Sequence, residues 1–240
     1  MSEFIYGRRS MLEALKANQR KLKKIWVQDG LAGEMVHEIL KLAKDRGVLI
    51  EWVRQDQLDK RVQGNHQGVV AEGNAVSFYD LDGFLSQLAP HAPALLVALD
   101  EIQDPHNVGA ILRSAGFFGI SGALVLKWRS APVGETAARV SSGAIEHVPI
   151  LRITNLAHSI LELQKAGFEV IGADMEGEPL GSHHASPRSV LVFGSEGSGL
   201  RRLVRERCDK ILSISGAGKV SSLNVASTAA IFMYEFCRRK

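Results

Sequence analysis

Three polar segments are where this chain could do chemistry. The first runs Asp100-Glu101-Ile102-Gln103-Asp104-Pro105-His106-Asn107 and continues through Gly109 and Ala110 to Arg113. At about 100° per residue, Asn107 and Arg113 fall on different faces of a regular helix. An amide and a guanidinium could still address one pocket if Asn107 sits in a loop or a first helical turn. Pro105 suits that first turn, and Gly109 and Ala110 allow close backbone approach. A polar helix start with a surface arginine accounts for the same residues. The second segment is Phe193-Gly194-Ser195-Glu196-Gly197-Ser198-Gly199-Leu200, a lone carboxylate among three glycines. Such a loop can press backbone against a ligand. It is not a Walker A loop, and its Gly-x-x-Gly-x-Gly order is not the dinucleotide fingerprint. A tight turn with an incidental acid also fits. The third runs Ile214-Ser215-Gly216-Ala217-Gly218-Lys219-Val220-Ser221-Ser222-Leu223-Asn224. Gly218-Lys219 suggests a phosphate loop, but Val220 stands where the metal-binding hydroxyl would be. The serine pair and Asn224 open a helix, with Ser222 the expected N-cap. A buried, satisfied structural asparagine is the alternative.

Each segment follows an apolar run. Ala94–Leu99 precedes the first, Val190–Phe193 the second and Ile211–Ile214 the third. Further runs lie at Ala123–Leu126, Val148–Leu151 and Phe168–Gly172. Short continuous runs of this kind fit fully buried parallel strands. Helical patterns fill the intervals at about 107–118, 135–143, 155–166, 198–206 and 223–238. The pattern predicts an α/β fold with a doubly wound parallel sheet over 94–240. Ligands in such folds sit beyond the carboxyl ends of the strands, where all three polar segments fall. The final helix is apolar on nearly every side (Val225, Ala226, Ala229, Ala230, Ile231, Phe232, Met233), so it must be buried in this chain or against a second copy.

Residues 1–75 read as a smaller α/β unit. Ser10–Ala17 and Glu34–Arg46 are helical; Lys24–Gln28, Val48–Val53 and Gly68–Glu72 are strand-like. Residues 76–93, with Pro90 and Pro93, are the expected linker. Charge changes there too. Residues 1–61 hold 13 Lys and Arg against 9 Asp and Glu, residues 62–100 hold none against 4, and residues 101–240 hold 16 against 13. Basic front and tail suit a polyanion such as RNA, though a solvated helix face is the plainer explanation of charge alone. Cys208 and Cys237 are too few for a disulfide framework and form no metal cluster, so both are expected to be reduced thiols. No apolar run reaches about 18 residues, and Met1–Arg9 lacks the apolar stretch of a signal peptide. The expectation is a cytoplasmic protein without a membrane span.

Together and in this order, Asn-Val-Gly-Ala-Ile-Leu-Arg at 107–113, Phe-Gly-Ser-Glu-Gly-Ser-Gly-Leu at 193–200 and Ser-Leu-Asn-Val-Ala at 222–226 resemble the three motifs of the SpoU (TrmH-like) branch of the SPOUT RNA methyltransferases. Phe4–Ser10 with Leu12–Leu15, and Asn65-His66-Gln67-Gly68-Val69, are similar to the substrate-binding domain of a subgroup that methylates the 2′-hydroxyl of guanosine ribose in 23S rRNA. The resemblance implies a knotted (trefoil) catalytic fold behind an L30e-like domain that holds rRNA. It implies S-adenosylmethionine (AdoMet) as cofactor, cradled by backbone around Gly194, Ile214 and Leu223, and a homodimer with the site near the interface. It puts Asn107, Arg113, Glu196, Ser222 and Asn224 at positions used for chemistry or site architecture.

Methyl transfer to a ribose hydroxyl needs alignment and help with the proton. It needs no metal, and His183-His184 reads as a solvated pair. The family usually carries Ile-Pro-Met ahead of the glycine in its third motif; here Ile214-Ser215-Gly216 stands instead, without the proline's rigidity and the thioether. Alternative readings are a tRNA ribose methyltransferase and a non-catalytic RNA-binding protein on the same fold. A nucleotide-dependent oxidoreductase is disfavoured by the missing dinucleotide fingerprint.

Overall fold

The structure is a computed structural model and describes residues 2–238. In chain order the elements begin β1 (Ser2–Tyr6), α1 (Arg8–Ala17), β2 (Leu22–Gln28), α2 (Glu34–Asp45), β3 (Leu49–Val53), α3 (Gln55–Asp59) and β4 (Val69–Asn74). There follow α4 (Leu81–Gln87), β5 (Ala94–Asp100), α5 (Pro105–Phe118), β6 (Gly122–Leu126), α6 (Glu135–Val140), β7 (Ile150–Ile153) and α7 (Leu156–Lys165). The chain closes with β8 (Glu169–Pro179), β9 (Arg188–Gly194), α8 (Arg202–Arg207), β10 (Lys210–Ser213) and α9 (Val225–Arg238). It divides into two compact units: Met1–Ser77 with Val133–His147, and Phe78–Pro132 with Val148–Lys240.

In the first unit the sheet order is β1-β4-β2-β3, with only β2 and β3 parallel. Strand alternation divides its apolar residues between two faces. Ile25 and Val27 join Met11, Leu15, Val36 and Ile39 on one side; Trp26 joins Tyr6, Val53, Leu58 and Val70 on the other. In α2, Val36, Ile39 and Ala43 are spaced to make one buried stripe. The helical pattern at 135–143 belongs to this unit, not to the second as the sequence order implied. What holds it there is Glu146, which receives Arg20 Nε at 3.0 Å and pairs with its Nη2; Arg20 also reaches Glu3 at 3.3 Å. Arg20 and Glu146 are both buried. His147 Nε2 lies 2.8 Å from Glu13 Oε2 in the same unit.

The second unit carries a six-stranded sheet in the order β10-β8-β9-β5-β6-β7, parallel throughout. All seven residues of β5 and all five of β6 are buried, as expected where helices cover both faces. The expected α/β parallel-sheet class is therefore observed. The stretch 76–93 is not a bare linker. Asp80 accepts a hydrogen bond from Gly83 N at 2.7 Å and caps α4, whose Leu81, Phe84 and Leu85 pack into the core of the second unit. Strand β8 also outruns its apolar segment, continuing past Gly172 to Pro179. The Cys208 thiol donates to the Val204 carbonyl at 3.3 Å and the Cys237 thiol to the Phe118 carbonyl at 3.6 Å. Among the described residues no helix is long and apolar enough to cross a membrane, and no three His, Cys, Asp or Glu side chains cluster to hold a metal ion.

Candidate functional site

Chain order reverses at β5, which pairs with β6 on one side and β9 on the other. A reversal of this kind opens a crevice beyond the carboxyl ends of the strands. A cavity of about 620 Å³ lies on the β9 side of that reversal, at the carboxyl ends of β8, β9 and β10, bounded by Asp174 and Met175 of β8, the loop 194–199, Ser213 at the end of β10 and Ile214 after it, Ser221–Val225, and Phe232 of α9. Its size is that of a small-molecule site.

The loop 194–199 is shaped by its own backbone. Ser195 and Gly199 exchange hydrogen bonds of 3.2 and 3.0 Å, and the Ser195 and Ser198 hydroxyls lie 2.6 Å apart. A Cβ on Gly194 would overlap the Gly199 carbonyl and the Leu200 nitrogen, so only glycine allows this crossing. The exit of the loop is tied down by Asp100, buried at the end of β5. Asp100 accepts from the Arg201 backbone at 2.9 Å and from its Nε at 2.7 Å; Arg201 Nη1 also meets Glu101 Oε1 at 3.0 Å. A buried carboxylate with this many charge-assisted partners is a rigid anchor.

Asn224 joins all three polar segments. Its Nδ2 donates to Asn107 Oδ1 at 2.9 Å and to Glu196 Oε1 at 2.7 Å. Its Oδ1 accepts from Ala226 N at 2.8 Å and Ser227 N at 3.4 Å. Asn224, not Ser222, therefore caps α9. The reason is position: the helix starts at Val225, and the N-cap oxygen must come from the residue just before it. Nor is Asn224 buried. It is exposed at the cavity wall, while Asn107, in the first turn of α5 behind an Asp104 cap, is the buried member.

Of the eight residues singled out from sequence, Gly194, Glu196, Ile214, Ser222, Leu223 and Asn224 line the cavity, and Asn107 reaches it through Asn224. Arg113 does not. It is exposed further along α5 and, among the described residues, has no hydrogen-bond or ion-pair partner. Sequence reading missed Asp174, Met175 and the Asp100–Arg201 anchor. A carboxylate directly past an apolar run, as at both Asp100 and Asp174, was the available signal. The wall combines carboxylates (Asp174, Glu196), hydroxyls (Ser195, Ser221, Ser222) and apolar groups (Met175, Ile214, Leu223, Phe232). That mixture suits an amphipathic small ligand carrying positive charge.

In the first unit, two stretches distant in sequence lock together. Arg8 N donates to Gln67 Oε1 at 3.0 Å and Arg8 Nε to the Gln67 carbonyl at 2.9 Å. His66 Nδ1 accepts from Gly68 N at 3.0 Å, and its Nε2 lies 2.9 Å from Asp59.

Comparison with known proteins matches residues 94–234 to the SpoU rRNA Methylase family and residues 4–79 to RNA 2′-O ribose methyltransferase substrate binding. YacO of Bacillus subtilis, whose name places it among the TrmH family tRNA/rRNA methyltransferases, is 37% identical, with 99% of this chain and 96% of YacO aligned. A similarly named protein of Staphylococcus aureus is 39% identical over 98% of this chain and 96% of its own length. The SpoU methyltransferase AviRb of Streptomyces viridochromogenes, solved with AdoMet, superposes with a TM-score of 0.83 at 24% identity, covering 99% of this chain and 90% of AviRb. A TrmH family structure from Porphyromonas gingivalis gives 0.75 at 26% identity, covering 100% of this chain and 90% of that one.

Proposed function

The chain belongs to the SpoU rRNA methylase family, and we propose that it transfers a methyl group from AdoMet to the ribose 2′-hydroxyl of a guanosine in 23S rRNA. The observation that carries this reading is the convergence of three loops on one cavity, with the Asn224 amide joining Asn107 and Glu196 at its wall.

The cavity fits AdoMet chemically. Asp174 and Glu196 complement a cationic ligand, Met175, Ile214, Leu223 and Phe232 offer apolar surface, and Gly194 leaves backbone where a side chain would intrude. AdoMet supplies the methyl group on an electrophilic sulfonium. The chain's residues align and neutralise. Gly194, Ile214 and Leu223 bound the cofactor. Asn224 and Ser222 hold the wall that orients it, and Glu196 and Asn107 fix the Asn224 amide. Arg113 is assigned to the RNA. A guanidinium stays protonated, so it serves as a cation gripping phosphate and stabilising the developing alkoxide rather than as a base.

Two further parts belong to the same reading. The first is a homodimer. Helices α5 and α9 pack together, Phe118 against Tyr234, yet leave Phe117, Ile231 and Tyr234 exposed, as a covered face would require. A second copy there would give Arg113, outside its own chain's cavity, a site to serve. The second is the division of labour: residues 1–75, completed by 133–147, hold rRNA, and the rest of 94–240, with α4 of the 76–93 connection packed into it, catalyses within a trefoil knot. The resemblance of Phe4–Ser10 and Asn65–Val69 to the substrate-binding domain of the 23S rRNA subgroup is the ground for preferring the 23S rRNA guanosine to the alternative of a tRNA ribose.

Arg113→Ala is expected to abolish methyl transfer to rRNA while AdoMet binding, measured by calorimetry, survives. Undiminished transfer by that variant would overturn the assignment.

A further inference from the structure

One aromatic side chain near the strand ends takes no part in the reaction above. Trp128, two residues beyond β6, is 67% exposed. Its backbone is nonetheless fixed. Lys127 N donates to the Ile153 carbonyl at 2.8 Å, Gln103 Nε2 to the Arg129 carbonyl at 2.7 Å, Ser130 Oγ to the Ile102 carbonyl at 3.3 Å and Ala131 N to the same carbonyl at 2.8 Å. Arg129 is held at φ 58°, a left-handed conformation that a side chain rarely adopts and that these bonds maintain. The loop thus holds a largely exposed indole on a fixed backbone.

Two observations indicate what covers it. The first is charge. Lys127 Nζ lies 5.1 Å from the Trp128 ring centroid, and the next side chain, Arg129, is 79% exposed, with its Nη1 3.9 Å from Glu101 Oε1. Flanking cations do not suit an apolar protein partner; they suit a planar base on a phosphate chain. The second is place. Val125 pairs with Leu99, and Asp100 pairs with Gly194. The end of β6 is therefore two strand spacings, about 10 Å, from Gly194. Ile102 and Gln103, which hold the loop, lead directly into α5 and Asn107.

We propose that Trp128 is a stacking platform for an unpaired base of the RNA substrate, with Lys127 and Arg129 on the adjoining phosphates. An aromatic face within a basic surface is the general means of holding single-stranded RNA, whose bases can be splayed onto it. The proposal rests on the RNA methylation reading and adds where the strand lies: across the ends of β5 and β6, beside the nucleotide whose ribose is modified.

The test uses the full chain and its Trp128→Leu and Trp128→Phe variants. Leucine keeps apolar bulk and lacks a π face; phenylalanine restores one. Methyl transfer into unmethylated total bacterial RNA, AdoMet binding by calorimetry and mass by sedimentation are measured. Trp128→Leu is expected to raise KM for RNA about 10-fold or more, Trp128→Phe to recover most of it, and AdoMet affinity and mass to stay unchanged. An unchanged KM for RNA in Trp128→Leu overturns the proposal. A changed mass also overturns it, because the indole would then be covered by a second copy. If the unaltered chain transfers no methyl group, the enzymatic reading fails by itself. Trp128 is then judged on a fluorescein-labelled single-stranded RNA oligonucleotide, for which Trp128→Leu must still weaken binding about 10-fold.

Discussion

Exchanging the hydrogen-bonding roles of Asn224 and Glu196 isolates the contact that unites the three loops. Asn224→Asp keeps an oxygen for the N–H groups of Ala226 and Ser227, so the cap on α9, worth about 1 kcal/mol, is retained. It removes the Nδ2 donor that meets Glu196 at 2.7 Å and Asn107 at 2.9 Å. A hydrogen bond to a charged group contributes about 1.5–3 kcal/mol, and exposure of both residues places this one near 1.5. Two facing carboxylates add about 1 kcal/mol of repulsion in a solvated setting. The buried Asn107 oxygen, left without its donor, adds about 1 kcal/mol more. The single variant should therefore lose about 3.5 kcal/mol. Glu196→Gln in that background supplies an amide to the new carboxylate and removes the repulsion, which should recover about 2.5 kcal/mol. Urea melts of the parent, both single variants and the double variant at pH 7 give the coupling energy directly. A double variant whose loss equals the sum of the single losses to within about 0.5 kcal/mol would refute the shared hydrogen bond as the organiser of the site.

Other perturbations probe separate parts of the structure. Gly194→Ala should displace the loop against Gly199 and cost at least about 10-fold in AdoMet affinity by calorimetry, since even a methyl group overlaps backbone there. Arg20→Ala should destabilise the first unit by about 3–5 kcal/mol, because it strands the buried Glu146 carboxylate; adding Glu146→Gln should restore part of that loss in thermal melts. Burial, with help from Asp209 and Asp100, pushes the Cys208 thiol up to about 12. An unfolded chain releases that proton at lower pH than the folded one. Stability should therefore fall as pH rises from about 9 to 12, more in the parent than in Cys208→Ala, and the folded thiol should resist alkylation at pH 8.

Sequence periodicity located the strands of the second unit well, because a parallel strand buried on both faces is written as a run of adjacent apolar residues. Ala94–Leu99 and Val190–Phe193 could hardly be anything else. It failed where polar residues continue a strand: β8 runs on through Asp174 and Glu176 because pairing with β10, not side-chain character, sustains it. The loops of the site were legible from their glycines and from standing after strands, but their joining was not. That required Asn224 to meet Asn107 across 117 positions and Glu196 across 28. The same limit applied to Arg20 and Glu146, 126 positions apart, and hence to the place of 133–147. The capping residue was misplaced by two positions because serine and asparagine cap equally well and only the helix start decides between them.

That placement of 133–147 bears on how the protein comes apart. The chain passes between its two units three times, after Ser77, after Pro132 and after His147. A protease cut after Ser77 would sever one passage only. The released front piece would remain clasped through Arg20 and Glu13 to Glu146 and His147, which stay covalently part of the remainder. A chain begun at Phe78 would instead carry Ile145 and Glu146 stripped of their surroundings. The front piece is thus half of a unit whose other half is borne by the rest of the molecule. The two are suited to reconstitution: residues 1–77 added separately should reassociate with residues 78–240 without a peptide bond between them.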